Sequence, residues 1–245
     1  MNHDGVINGV HTYTPSGYKE PPTALLQQRL SDFCDKKLGL MLHFGPYTNA
    51  GLIESWALCD QDAAWSQKQI DWTNDIDHFK RQYYGLSRSF NPIRFDPARW
   101  AKTAKEAGAG YVLFTMKHHD GFCMYDTAYT DYKVTAPDCP FSVEENADIA
   151  RALFERCRAE GLWVAAYFSK PDWHHEDYWE NHGIGYQTTR YPSYHTKQDP
   201  ERWARFVRFL HAQVHEIADR YTPDILWFDG GWIRRETDTD PRMEE

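Results

Sequence analysis

The chain has 245 residues, room for one large domain or two small ones, and no break in composition argues for two. A net charge of -9 at pH 7 speaks against nucleic acid or an anionic membrane as a partner, since both reward basic patches. No apolar run approaches the roughly 20 residues of a bilayer span.

Residues 1–20 read as an irregular, polar arm without the apolar centre of a signal peptide. As it stands, the chain is expected in the cytoplasm; a signal removed ahead of Met1 would place it in a periplasm or outside the cell. After Pro21-Pro22, the spacing of Leu25, Leu26, Leu30 and Phe33 predicts a helix over 23–35. Arm and helix form a first region, 1–37, ahead of a main domain over 38–245. Leu38 to Phe44 reads as a buried strand with His43 at its end. The stretch from about 47 to 94 holds Glu54-Ser55-Trp56 and a helix carrying Ile76, Phe79 and Tyr83. Connections of that length usually cover a site.

Regular structure then returns. Asp96 is an N-cap, Pro97 suits the first helical position, and Phe95 with Trp100 fits a hydrophobic staple. Trp100, Ala101, Ala104 and Ala107 make the stripe, and Gly108 ends it. Tyr111 to Met116 is a second strand, trailed by Lys117-His118-His119-Asp120-Gly121-Phe122. Ser142 and Glu145 predict a capping box before the stripe Ile149, Ala150, Leu153, Phe154 and Cys157. Leu162 to Phe168 is a third strand, with a loop over 169–198 rich in Trp, Tyr and His. Asp199-Pro200 opens a last helix with the apolar face Trp203, Phe206, Val207, Leu210, Val214, Ile217 and Ala218. Ile225 to Phe228 is a fourth strand, ending in Asp229-Gly230-Gly231-Trp232. Ile233 to Glu245 is mostly polar and reads as a solvated terminus, Glu236 included.

Continuous apolar strands alternating with amphipathic helices predict parallel β/α units. An open doubly wound sheet and a (β/α)8 barrel both satisfy that pattern. No Gly-rich phosphate loop follows a strand, and long loops follow every strand, which favours the TIM-barrel type with only the first four or so β/α units present. The two edge strands of such a partial barrel would lack neighbours, so an oligomer or poor solubility is expected. Cys34, Cys59, Cys123, Cys139 and Cys157 are scattered and odd in number, which predicts buried free thiols rather than disulfides or a zinc site.

In a barrel the strand ends meet at one mouth. That would gather His43, His118, His119, Tyr167, Trp227 and Asp229. Trp227 and Asp229 are two apart, on one side of their strand. Three chemistries use such a set: metal-assisted hydrolysis, sugar binding without chemistry, and glycoside hydrolysis with Asp229 as nucleophile. Strand neighbours such as His118 and His119 point to opposite faces unless the chain turns at the strand end, and no H-x-H or H-E-x-x-H spacing occurs, so no metal and no cofactor are expected.

At this point the motifs resemble a known family. Gly39-Leu40-Met41-Leu42-His43-Phe44-Gly45, Asn91-Pro92-Ile93-Arg94-Phe95-Asp96, Lys117-His118-His119-Asp120-Gly121-Phe122, Asp131-Tyr132 and Pro223 to Gly230 are similar, in order, to motifs of the α-L-fucosidases of glycoside hydrolase family 29. The resemblance implies a retaining mechanism in which Asp229 attacks the anomeric carbon of a fucosylated oligosaccharide or glycoconjugate and a second carboxyl group donates the proton. It implies that His43, His118 and His119 hold fucose hydroxyls, that Tyr167 lies near the nucleophile, that Trp227 walls the pocket, and that Glu54 and Trp56 match a Glu-Trp pair of the first loop. Family members continue into later strands, an arginine and an acid/base Glu, so a C-terminal half is missing here. A non-catalytic fucose-binding or assembly module that completes its barrel with another chain is the alternative.

Overall fold

In the computed structural model, which describes residues 6–7, 10–11, 23–67, 70, 76–180, 189–234 and 237–243, the chain divides into two compact units, 1–37 and 38–245. In the first, β1 (Val6–Ile7) and β2 (Val10–His11) pair antiparallel, a short hairpin inside the segment read as irregular. Helix α1 (Ala24–Asp35) starts at Thr23, whose Oγ1 accepts from the Leu26 amide at 3.2 Å. Pro21 and Pro22 lie outside the described residues. None of the residues of α1 is buried, so Cys34 is exposed, against the expectation of five buried thiols. Cys59, Cys123, Cys139 and Cys157 are free and buried.

The second unit runs β3 (Gly39–Leu42), α2 (Asp60–Gln67), α3 (Ile76–Gly85), α4 (Pro97–Glu106), β4 (Tyr111–Lys117), α5 (Ile149–Ala159), β5 (Trp163–Ser169), α6 (Pro200–Tyr221) and β6 (Ile225–Asp229). Its four strands form one parallel sheet in chain order, β3-β4-β5-β6. Helices enter on aspartate caps: Asp96, Asp148 and Asp199 accept from the amides of Arg99, Arg151 and Arg202 at 2.9, 3.1 and 3.1 Å. Phe95 and Trp100 meet edge to face at 5.1 Å, the staple expected at the start of α4. The capping box at Ser142 and Glu145 does not form. Residues Pro140–Val143 make a 3-10 turn instead, and Asp148, beside the first stripe residue, also takes the Tyr221 hydroxyl at 2.6 Å.

Strand alternation sorts the sheet into two faces. Val112, Phe114 and Met116 with Val164, Ala166 and Phe168 pack on Ala101, Ala104, Ile149, Leu153, Leu210 and Ile217 of the helices. Burying each Val, Leu, Ile, Met or Phe side chain of this set stabilises by about 1.5–3 kcal/mol. The other face carries a small cluster of Leu113, Ala165 and Tyr167, with Tyr111 and Ile225 at its margin. The two central strands are buried, while the edges are open enough that Met41 is 38% and Trp227 44% exposed. A second core, built on Leu58, Phe79, Tyr83, Trp173, Trp179 and Phe206, joins the 47–94 segment and the loop after β5 near the strands' C-terminal ends. Among the described residues, no helix is long and apolar enough to cross a membrane.

Candidate active site

The strand ends deliver their polar side chains to one place. Tyr167 pairs in register with Trp227, and Ser169 with Asp229, so all four share a face of the sheet. The Tyr167 hydroxyl donates to Asp229 Oδ2 at 2.5 Å, and the Gly230 amide donates to Oδ1 at 2.6 Å. Gly230 has φ +89, a left-handed backbone that brings its own amide onto the carboxylate. His119 Nε2 stands 3.5 Å from Oδ2, an electrostatic contact too long for a hydrogen bond. Both ring nitrogens of His119 are buried with no hydrogen-bond partner among the described residues. The Trp227 ring meets Tyr167 edge-on at 5.5 Å and stays half-exposed.

A second group stands next to the first. Glu54 Oε1 is 3.5 Å from His43 Nε2, Glu54 Oε2 is 3.3 Å from His118 Nε2, and the Trp56 indole donates to Oε2 at 3.0 Å. Thr115 Oγ1 donates to the Leu42 carbonyl at 2.9 Å, so toward His43 Nδ1, 3.1 Å away, it can only accept. That network assigns the proton of neutral His43 to Nδ1 and leaves a lone pair on Nε2. Ser55 Oγ lies 2.5 Å from His118 Nδ1. Glu54 itself has φ +56, a region costly for a side-chain-bearing residue and typical of functional sites.

Electrostatics separates the roles. Burial would raise the Asp229 carboxyl, but His119, the Tyr167 hydroxyl and the Gly230 amide outweigh it and hold the group well below the carboxylate range. The His118 contact, against burial, brings Glu54 down to about 2. Burial, then His118, lowers His119 to about 4, and burial lowers His43 against the pull of Glu54. Burial and the Asp229 charge push the Tyr167 phenol up, so it stays a proton donor. At neutral pH the site therefore holds two carboxylates facing neutral His43 and His119.

All eight residues singled out from the sequence meet here: His43, Glu54, Trp56, His118, His119, Tyr167, Trp227 and Asp229. His118 and His119 do not face opposite ways, because the chain turns at the strand end. The ladder shifts register between Thr115 and Lys117, the strand ends there, and the two rings sit 4.5 Å apart. Each joins a set of three close ligand atoms, one with His43 and Glu54 and one with Asp229. Glu236 lies outside the described residues. Sequence reading missed the part played by Ser55, and by Trp173 and Trp232, whose rings lie 4.9 and 5.0 Å from His119. It also missed Lys117 and Asp172, buried beneath the histidines.

Comparison with known proteins shows the family. The sequence model of the alpha-L-fucosidase family matches residues 6–245. The chain belongs to that family. Rat tissue alpha-L-fucosidase is 26% identical over 200 residues, covering 82% of this chain and 39% of that protein. The human tissue alpha-L-fucosidase is 25% identical over 207 residues, with the same shares. Among solved structures, a family 29 alpha-L-fucosidase from Bacteroides thetaiotaomicron superposes with a TM-score of 0.63 at 30% identity, covering 89% of this chain and 43% of that one. A further structure of that bacterium's alpha-L-fucosidase holds a trapped covalent intermediate, in complex with 2-fluoro-fucosyl fluoride. The chain spans about two fifths of the length of the fucosidases it matches. Its four parallel β/α units are a partial barrel of the fucosidase type.

Proposed function

We propose that the chain carries the nucleophile half of a retaining α-L-fucosidase site, with Asp229 forming the glycosyl-enzyme. The observation that carries this reading is the Asp229 carboxylate itself. It is oriented through both oxygens and faced by a buried His119 whose ring nitrogens have no hydrogen-bond partner among the described residues. Tyr167 fixes Oδ2 without giving up its proton, which leaves the carboxylate anionic for attack on the anomeric carbon. His43, His118 and His119 offer ring nitrogens, and Glu54 acceptor oxygens, to the hydroxyls of the sugar. Trp56 and Trp227 supply aromatic walls for its apolar edges.

Retaining hydrolysis also needs a proton for the departing oxygen. Glu54 holds no proton at neutral pH and is fixed by His118 and Trp56, so it serves as an acceptor for hydroxyls. The proton donor for a poor leaving group comes from outside this set, whereas an activated phenol leaves without one. The test is an aryl α-L-fucoside with a good leaving group, a fucosyl oligosaccharide, and a 2-fluoro-fucosyl fluoride, each with the wild-type chain and with Asp229→Ala. Slow phenol release and a covalent adduct mapped to Asp229 are expected, both lost in the variant, with no cleavage of the oligosaccharide. Fucose binding without any adduct would instead mark a sugar-binding module. An adduct on another residue would refute the assignment of Asp229.

A further inference from the structure

His43, Glu54 and His118 bring three possible metal-ligand atoms together. Thr115 Oγ1 donates to the Leu42 carbonyl and takes up Nδ1 of His43, which leaves Nε2 of that ring turned to Glu54 Oε1, 3.5 Å away. His118 Nε2 closes the group at 3.3 Å from Glu54 Oε2. The three ligand atoms of the set lie within 4.8 Å of one another. Zinc bonds to histidine nitrogen and carboxylate oxygen at about 2.0–2.2 Å, which places neighbouring ligand atoms of a tetrahedral site about 3.4 Å apart.

We propose that His43, Glu54 and His118 bind a divalent cation of the zinc or copper class beside the C-terminal ends of the strands, and that metal and sugar exclude each other there. The exclusion rests on the fucose reading above; the metal site does not. Two imidazoles and one carboxylate suit zinc or copper(II) over magnesium, which prefers an all-oxygen shell and retained water. The supports around these ligands are those of a metal site. The far nitrogens of the two rings are tied to Thr115 and Ser55, and the carboxylate is steadied by the Trp56 indole. A third protein nitrogen is not required, because a fourth position can hold water. The neighbouring set of His118, His119 and Asp229 is the weaker choice. Both Asp229 oxygens already accept hydrogen bonds, and His118 can serve only one ion at a time through Nε2.

The test is calorimetric titration of Zn2+ alone into the full chain carrying Cys34→Ser, which removes the exposed thiol as a competing ligand. One ion per chain is expected, with no heat from Mg2+. Affinity should fall at least about tenfold in His43→Gln and in Glu54→Gln, and about tenfold in Ser55→Ala, which leaves every ligand in place. Far-UV circular dichroism checks that each variant is folded. Excess fucose should weaken the apparent Zn2+ affinity of the parent chain. Zn2+ binding that survives both His43→Gln and Ser55→Ala, or no binding up to millimolar metal, overturns the proposal. A chain that binds Zn2+ through these residues but ignores fucose upholds the metal site and refutes the exclusion and the sugar reading with it.

Discussion

Removing the Lys117 ammonium should destabilise the fold and loosen the site together. Lys117 is fully buried, donates to Asp172 Oδ2 at 3.0 Å and to Gln213 Oε1 at 2.9 Å, and lies 4.4 Å from the centre of the Phe168 ring. The second Asp172 oxygen accepts the amides of His174 and His175, each at 3.0 Å. Lys117→Met would leave that carboxylate buried without its counter-charge, which costs about 3–5 kcal/mol. Adding Asp172→Asn removes the orphaned charge while keeping an acceptor for the two amides, so at least about 2 kcal/mol should return. Urea unfolding at pH 7 of wild type, the single and the double variant measures both steps. The pH dependence has a definite sign. Burial raises Asp172 but Lys117 outweighs it and holds the folded carboxyl low. Its contribution is therefore present above the unfolded value near 3.9 and lost as pH falls, so the gap between wild type and Lys117→Met should narrow below about pH 4. The same loop donates from Trp173 to the His119 carbonyl at 2.7 Å and from Lys170 to the Asp229 carbonyl at 3.1 Å, so the single variant should also slow fluorofucosyl labelling. A Lys117→Met chain within about 1 kcal/mol of wild type would refute the reasoning, since a buried unpaired carboxylate cannot be that cheap.

Two further outcomes follow from single groups. Asp120, buried, is pushed up to about 6, mainly by desolvation and against the pull of His118 and the Tyr83 hydroxyl. A raised folded value means its contribution is complete below about pH 4 and lost as pH rises through about 6, roughly 3 kcal/mol for about two units. Asp120→Asn should therefore gain on wild type between pH 4 and pH 7 in urea titrations, and parallel curves would count against it. Tyr167→Phe removes the shortest contact to Asp229; a hydrogen bond to a charged group is worth about 1.5–3 kcal/mol, discounted to about 1 because the carboxylate is 38% exposed. The acid-side loss of fluorofucosyl labelling should then begin nearly one pH unit higher, and an unmoved limb would show that Tyr167 does not set the charge of Asp229.

What the chain displays in one dimension is whatever a local pattern controls. Four strands were legible because each is a continuous apolar run, and two helix starts because Asp-Pro supplies both the side-chain acceptor and the fixed φ of a first turn. Ser142 misled because capping-box spacing is common, while the cap actually used, Asp148, is chosen by a tertiary bond from Tyr221. The site residues were legible one at a time, but not their joint state. Nothing near His119 in sequence indicates that its nitrogens lack hydrogen-bond partners among the described residues, and nothing near Lys117 indicates an acid 55 positions away. The Lys-His-His-Asp-Gly-Phe stretch now has a physical reason at every position. Lys117 holds Asp172, His118 and His119 reach Glu54 and Asp229, Asp120 takes the Tyr83 hydroxyl at 2.9 Å, and Phe122 is core. Gly121 is required twice over, by φ +81 and because a Cβ there would stand 2.3 Å from Asp172 Oδ1. Two histidines in the stretch reach the carboxylates of the candidate site and the other four residues keep them there, so the motif reads as one mechanical unit: a change at Lys117, Asp120 or Gly121 should disturb the candidate site without touching Asp229 or Glu54.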